Sequence, residues 1–418
     1  MDRKIQTSLI TKTLAVAITA AMASTVQAAS TEQQQIQELR QEVQALKALI
    51  QQQQQVQQQQ QVQIQQVQAQ PAPAAKSASP FSLKSKGGAE VNLYGFVRGD
   101  ANYIVEGADN DFNSVHTSTG AAKDKLRATP KTTRLGLDFS SPVGDRKVGG
   151  KIEVDFAGTN DALRIRHAYL TLDNWLLGQT TSNFLSNHAP EMIDFGTNVG
   201  GGTTRIPQVR YSHKLAPATQ LLVSAEEGNS SATGSDVTYR VPTVTAKLTQ
   251  GFAEGKGAAS ARALVEHYKA ESGDDKTGWG VAAGAHYQVT EPLKISADVS
   301  HVVGNSNYLY GSNTAYSLDG RNIEQNEFTA FQVGATYKFA PNLRSTLGYG
   351  AIFSDDGTDY AALNEDANKE VYQAWLNFIY SPVKPVDLGI EYINGERETF
   401  AGNKFKDNRF GLMARYNF

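Results

Sequence analysis

Over the C-terminal four-fifths of this chain, apolar and polar residues alternate in short runs. The last ten residues show the pattern clearly. Phe410, Leu412, Ala414, Tyr416 and Phe418 share one parity, and Arg409, Gly411, Arg415 and Asn417 share the other. Side chains alternate faces along a strand, so this is an apolar face backed by a polar, cationic one. At the margin of an open sheet such a strand would be an aggregation-prone edge. In a closed barrel it pairs with the first strand and turns its apolar face to lipid.

The same alternation begins at residue 91. A first strand over 91–105 is followed by a long polar stretch to Thr129. A second strand spans 131–140, with Leu135, Leu137 and Phe139 against Arg134 and Asp138. A third sets Ile152, Val154 and Phe156 against Lys151, Glu153 and Asp155. A fourth over 163–173 meets a fifth at Trp175 across a tight turn. Short turns recur at 215–217, 290–292, 340–342 and 381–385, with longer polar loops at 228–237, 303–326, 355–369 and 394–407. Residues 251–261, rich in Gly and Ala, fit either turn or strand. The count is about sixteen. An even strand number, short turns on one side and long loops on the other predict a sixteen-stranded antiparallel transmembrane β-barrel over residues 89–418. Tyr169, Trp175, Tyr337, Trp375, Tyr380 and Tyr416, near predicted strand ends, are candidates for aromatic girdles at the membrane interfaces.

Ahead of the barrel the period changes. Ile36, Leu39, Val43, Leu46 and Ile50 follow the 3, 4, 3, 4 spacing of coiled-coil a and d positions, and Ile64 and Val67 return in phase after Gln53, Gln57 and Gln60. Residues 29–70 therefore read as a Gln-rich α-helical coiled coil, with Glu42 and Lys47 at ion-pairing spacing. A disordered Gln tract is the alternative for 51–70. Ile and Val at a with Leu at d lean towards a dimer. Pro71 and Pro73 end the helix, and 71–88 reads as a Pro/Ala/Ser linker.

The N-terminus sets the compartment. Arg3, Lys4 and Lys12 flank an apolar run over 14–22, and Val26-Gln27-Ala28 fits the small-residue cleavage rule, so residues 1–28 read as a secretory signal peptide. Its removal takes away three basic residues and one acidic, leaving 36 against 41, a net charge of −5. Such a balance argues against nucleic acid as a partner. Cysteine is absent, which excludes a disulfide framework and thiolate chemistry. Among 418 residues, 40% hydrophobic, no stretch supplies the roughly 20 consecutive apolar residues of a membrane helix.

With the apolar parity towards lipid, the other parity lines the lumen. Arg98, Arg134, Arg164, Arg166, Arg210, Arg344, Arg409 and Arg415 all lie on it, mixed with Asp100, Asp138, Glu153, Asp155 and Glu391. A ring of guanidiniums concentrates anions and matches carboxylates bidentately; the alternative is that single arginines only neutralise these acids. Residues 180–204 form the longest interruption. They carry Phe184, Glu191, Asp194, Phe195 and Gly201, and apolar residues in so long a loop must be buried. By strand count this is the third external loop, and folding into the barrel would narrow the pore, with Arg205 and Arg210 leaving it towards the constriction. Packing outside is the alternative. His167, His213, His267 and His301 are scattered, mostly on the outward or an ambiguous parity, and no catalytic motif or cofactor-binding pattern appears.

The signal peptide, the Gln-rich heptads, the Pro/Ala linker, Val91-Asn92-Leu93-Tyr94-Gly95-Phe96 at the barrel start and Tyr416-Asn417-Phe418 at its end resemble the DcaP-like porins of Gram-negative outer membranes. The resemblance covers essentially the whole chain. It implies a homotrimer, a periplasmic coiled coil, and uptake of dicarboxylates, phthalate-like diacids and small anionic drugs. The trimer comes from the resemblance, not from the heptads. Two other readings stand beside it. One is a structural tether whose coil binds peptidoglycan or other periplasmic components. The other is a sugar channel, which calls for a file of aromatics along the lumen; no regular file lies on the polar parity, although Tyr94 and Phe96 are candidates to point inward.

Overall fold

The computed structural model describes residues 82–84, 88–194, 198–228 and 237–418. The expected signal peptide (1–28), the expected coiled coil (29–70) and the expected linker (71–88) apart from 82–84 and 88 lie outside the described residues, as does Phe195.

Sixteen antiparallel strands close into a barrel. They are β1 (Glu90–Gly107), β2 in two halves (Ala122–Thr129 and Arg134–Val143), β3 (Arg146–Asp155), β4 (Arg164–Leu172), β5 (Trp175–Thr181), β6 (Arg205–Ala216), β7 (Thr219–Glu226) and β8 (Thr243–Phe252). The rest are β9 (Gly257–Ala270), β10 (Asp275–Gln288), β11 (Leu293–Val303), β12 (Glu327–Ala340), β13 (Leu343–Ser354), β14 (Asn368–Val383), β15 (Val386–Thr399) and β16 (Lys404–Asn417). Each pairs with its sequence neighbour, and β16 closes the ring on β1 with Val97 opposite Tyr416 and Tyr103 opposite Phe410. The terminal Phe418 exchanges both backbone bonds with Gly95, at 3.1 and 3.0 Å. No edge is left at this seam, because every strand has two neighbours.

The expected alternation holds. Leu137, Ile152, Ile165, Val209, Val281, Val333, Leu347, Leu376 and Leu412 point outward and are exposed, as a lipid-facing surface requires. Trp175, Tyr337, Phe339, Tyr380 and Tyr416 form an outward girdle near the short turns, and Tyr103, Trp279, Phe353 and Phe410 another near the long loops. Two expected girdle residues are instead inside. Trp375 is 1% exposed and donates Nε1–H to the Glu191 carbonyl at 2.9 Å. Tyr169 faces inward because β4 carries a bulge at Arg166, where Glu153 pairs with His167 and Val154 with Ile165. An extra residue inverts the parity beyond it, and this also turns His167 inward.

Two boundaries differ from expectation. The second strand starts at Ala122, within the predicted polar stretch, and breaks over 130–133. In its first half Lys125 and Arg127 reach the loop acids Asp109 and Asp111, all at 2.7 Å. The last loop is only 400–403, because β15 and β16 continue with Glu398 opposite Lys404. Beyond the lipid band a strand has no apolar face, so period-two hydrophobicity vanishes while pairing continues. Residues 251–261 resolve into the end of β8, a turn at Ala253–Gly255 and the start of β9.

Candidate functional site

The described residues of the third external loop, L3 (182–194 and 198–204), lie inside the barrel and follow its inner wall. At its start Asn183 bonds through its backbone N–H to Glu226 on β7, at 3.1 Å. Lys247 of β8 donates to the Leu185 carbonyl at 2.7 Å, and Arg262 of β9 to the Phe184 carbonyl at 3.0 Å. His188 meets His286 of β10 with the two Nδ1 atoms 2.9 Å apart, and Ser186 donates to Asp298 of β11 at 2.6 Å. Farther along, Glu191 forms a bidentate pair with Arg344 of β13, both contacts 2.8 Å. The apex is held by Glu391 of β15 and Arg98 of β1, whose guanidinium donates to the Ile193 carbonyl at 2.6 Å. On the return, Gln373 of β14 accepts from Val199 N–H at 3.0 Å, and Gln332 of β12 donates to its carbonyl at 3.1 Å.

These contacts run from β7 through β15 to β1. Among the described residues these contacts do not extend to β2, β3 and β4, and those strands carry the densest charge. Glu153 and Asp155 lie side by side on the inner face of β3. Arg166 bridges them, with 2.7 Å to each. Arg164 clasps Asp155 bidentately at 2.9 and 2.7 Å and stays 41% exposed, and Arg134 stands 3.3 Å from Glu153. Arg205, at the root of L3, lies within electrostatic reach of Arg134, Arg164, Arg166 and Glu153. Its guanidinium makes no hydrogen bond or ion pair to any other described residue, and its Nε is a buried donor without a partner among them. Four guanidiniums against two carboxylates leave an excess of two positive charges. Beside them Arg134 and Arg415 flank the ring of Phe96, at 5.0 and 5.7 Å from its centroid, and Lys151 sits 4.5 Å from that of Tyr94. Tyr94 and Phe96 do point inward, but with guanidiniums between them rather than in a continuous aromatic file.

Of the nine arginines expected to line the pore, Arg134, Arg164, Arg166 and Arg205 come together here. Arg210, farther along β6, is 6% exposed, and its guanidinium makes only a 3.4 Å contact to Asn183 among the described residues. Arg415 belongs to the short-turn side of the same wall, paired with Asp387 at 2.6 Å. The other three are not free to meet a solute. Arg98 is 3% exposed, bound to Asp100 and to L3. Arg344 is spent on Glu191. Arg409 is fully buried, bound to Asp407 and to the carbonyls of Ala108 and Asn110 in the first external loop. A guanidinium has five donors, and a loop folded over it uses them as readily as a solute would.

The expected constriction residues divide in the same way. Phe184 is buried against Tyr308 and the β9–β10 wall, and Gly201 packs against Gln332, so both anchor the loop. Gly202 lies so close to the Tyr308 carbonyl that a side chain would collide with it. Glu191 is tied to Arg344, and Asp194 accepts the Asn113 N–H at 2.7 Å. Sequence reasoning missed Lys247 and Arg262, which hold L3 to the wall. Their signal was present, since both lie on the polar parity of apolar strands. The pairing of His188 with His286, 98 residues apart, had none.

A closed sixteen-stranded barrel with a lipid-facing exterior, two aromatic girdles and a charged lumen narrowed by an inserted loop is an outer-membrane porin. A family model described as DcaP outer membrane protein matches residues 15–418. The chain therefore belongs to the DcaP family of outer-membrane channels. The crystal structure of the outer membrane channel DcaP of Acinetobacter baumannii is 68% identical, with a TM-score of 0.79 over 80% of this chain and 99% of that one. The fold is also shared with OmpT of Vibrio cholerae (15% identity, TM-score 0.53, 81% of this chain and 99% of that one). An anion-selective porin from Comamonas acidovorans shares it as well (13% identity, TM-score 0.55, 79% and 100%). The search of curated proteins found no match.

Proposed function

We propose that this channel is an anion-selective diffusion porin for small dicarboxylates and phthalate-like aromatic diacids, and for small anionic drugs of similar size. The carrying observation is the wall of β2 to β4 with its two unbalanced positive charges and Arg205, whose guanidinium has no partner among the described residues. A dianion is the solute that meets an excess of two, and a guanidinium offers a carboxylate paired donors. Phe96 and Tyr94, set among cations, provide apolar area for an aromatic ring, which supports the aromatic diacids. The carboxylates of L3 are spent on Arg344 and on backbone N–H groups, so they add little repulsion.

The same reading takes residues 1–28 as an export signal, 29–70 as a periplasmic coiled coil and the working unit as a homotrimer. Among the similar structures one is described as a trimer form of OmpT, which supports the last point. Reconstitution in a planar bilayer under a KCl gradient tests selectivity. A reversal potential of the chloride-preferring sign is expected, with diacids reducing the chloride current; a cation-preferring sign overturns the proposal.

A further inference from the structure

At Ile193 and Asp194, L3 is held by Arg98 at the Ile193 carbonyl, by Asn113 at the Asp194 carboxylate, and by Glu391, the one side chain that accepts from both backbone N–H groups. Glu391 of β15, 1% exposed, accepts the Ile193 N–H at Oε2 (2.8 Å) and the Asp194 N–H at Oε1 (2.7 Å). Asn377 of β14 adds a third donor to Oε2 at 3.0 Å and a bond to the Glu191 carbonyl, also 3.0 Å. No Lys, Arg or His among the described residues lies within ion-pair distance of Glu391. The charged groups facing it are Asp194 and Glu191 from L3, Arg98 with Asp100 from β1, and Arg344 from β13. Of these Arg98 is taken by Asp100 and Arg344 by Glu191. The neighbouring strand β16 sets Gly411 opposite Glu391, with Met413 and Arg409 on the same inner face, and Arg409 is taken by Asp407.

Both oxygens of Glu391 therefore work as acceptors, and this needs the ionised form. A protonated carboxyl has turned one oxygen into an O–H donor, which cannot also receive a backbone N–H in the same line. The apex already lies against the wall, so the only free direction for it is into the lumen. We propose that Glu391 is the positioning residue of the constriction: its ionised carboxylate holds L3 on the wall, and proton uptake there releases the apex and narrows the passage. This rests on the diffusion-porin reading.

The test is single-channel conductance of the purified full chain in symmetrical KCl, scanned from about pH 8 to about pH 4, the span in which carboxyl groups of differing burial titrate. The wild-type channel is expected to pass from a larger to a smaller conductance as pH falls. E391Q is expected to show the smaller conductance at every pH. N377A removes a donor that favours the ionised form, so its transition is expected to move up by roughly one pH unit. An E391Q channel with the wild-type conductance–pH curve overturns the clamp. So does an N377A transition at the wild-type pH, and this second variant decides alone where E391Q does not fold. Absence of any conductance step from the wild type counts against the porin reading itself, whereas steps without a Glu391-dependent transition count against the clamp only.

Discussion

Arg205 is the position at which removing one charge tests the cationic wall most directly. Arg134, Arg164 and Arg166 each face Glu153 or Asp155, so truncating one of them also strips a carboxylate of its partner. Arg205 has no such partner among the described residues, and Arg205→Ala lowers the local excess from two positive charges to one without exposing an acid. A unit charge about 6 Å from a permeating carboxylate contributes roughly 0.7 kcal/mol in bulk-like water and about 3 kcal/mol at an effective dielectric constant near 20. Those limits correspond to roughly a threefold and a hundredfold change in anion occupancy. The assay is the bilayer reversal potential under a KCl gradient, paired with the diacid concentration that halves the chloride current. Arg205→Ala is expected to shift the reversal potential towards neutral and to raise that concentration by at least about threefold, more at low salt than at 1 M because screening removes the longer-range part. An unchanged reversal potential together with unchanged diacid block would refute the placing of the excess charge at this wall.

Three further outcomes follow from the same geometry. Arg164→Ala combined with Arg166→Ala takes the local excess from two to none, bares Asp155 and leaves Glu153 with Arg134 alone, so anion selectivity should be lost or reversed in the bilayer. Arg409→Ala should leave selectivity near wild type but lower thermal stability by about 3–5 kcal/mol, the cost of leaving buried Asp407 unpaired, read as an earlier heat-induced loss of the folded band in gel electrophoresis. His116, in the first external loop, is held well below its ordinary value, at about 4, by burial against Tyr310 and secondarily by Arg397. The unfolded loop binds the proton more readily, so packing of that loop should weaken as pH falls through about 6.5 and be weakest below about 4. In His116→Gln this acid sensitivity, followed by limited proteolysis of the external loops, should be reduced.

The match between pattern and structure is best where lipid acts as the second solvent. Each membrane strand must show an apolar residue at every other position, so parity alone located β1, β3 and β16, their inward faces and the closing seam. It failed at Trp375 and Tyr169 for different reasons. An indole is apolar enough for either face, and the acceptor that draws Trp375 inward, the Glu191 carbonyl, comes from a loop 184 residues away. The bulge at Arg166 inverts parity by one residue that hydrophobicity does not record.

The sequence by itself determined the membrane-spanning architecture, the sense of the lumen and the type of charge within it, because those follow from local periodicity and from side-chain chemistry. Only the tertiary structure decided which arginines remain available to a solute. Whether a guanidinium faces water or a carbonyl depends on where L3 and the first external loop come to lie, and those contacts join residues up to about three hundred positions apart. Arg98, Arg344 and Arg409 look the same as Arg134 and Arg205 in the sequence. Folding assigns the first three to hold loops, and leaves the others to face the passage.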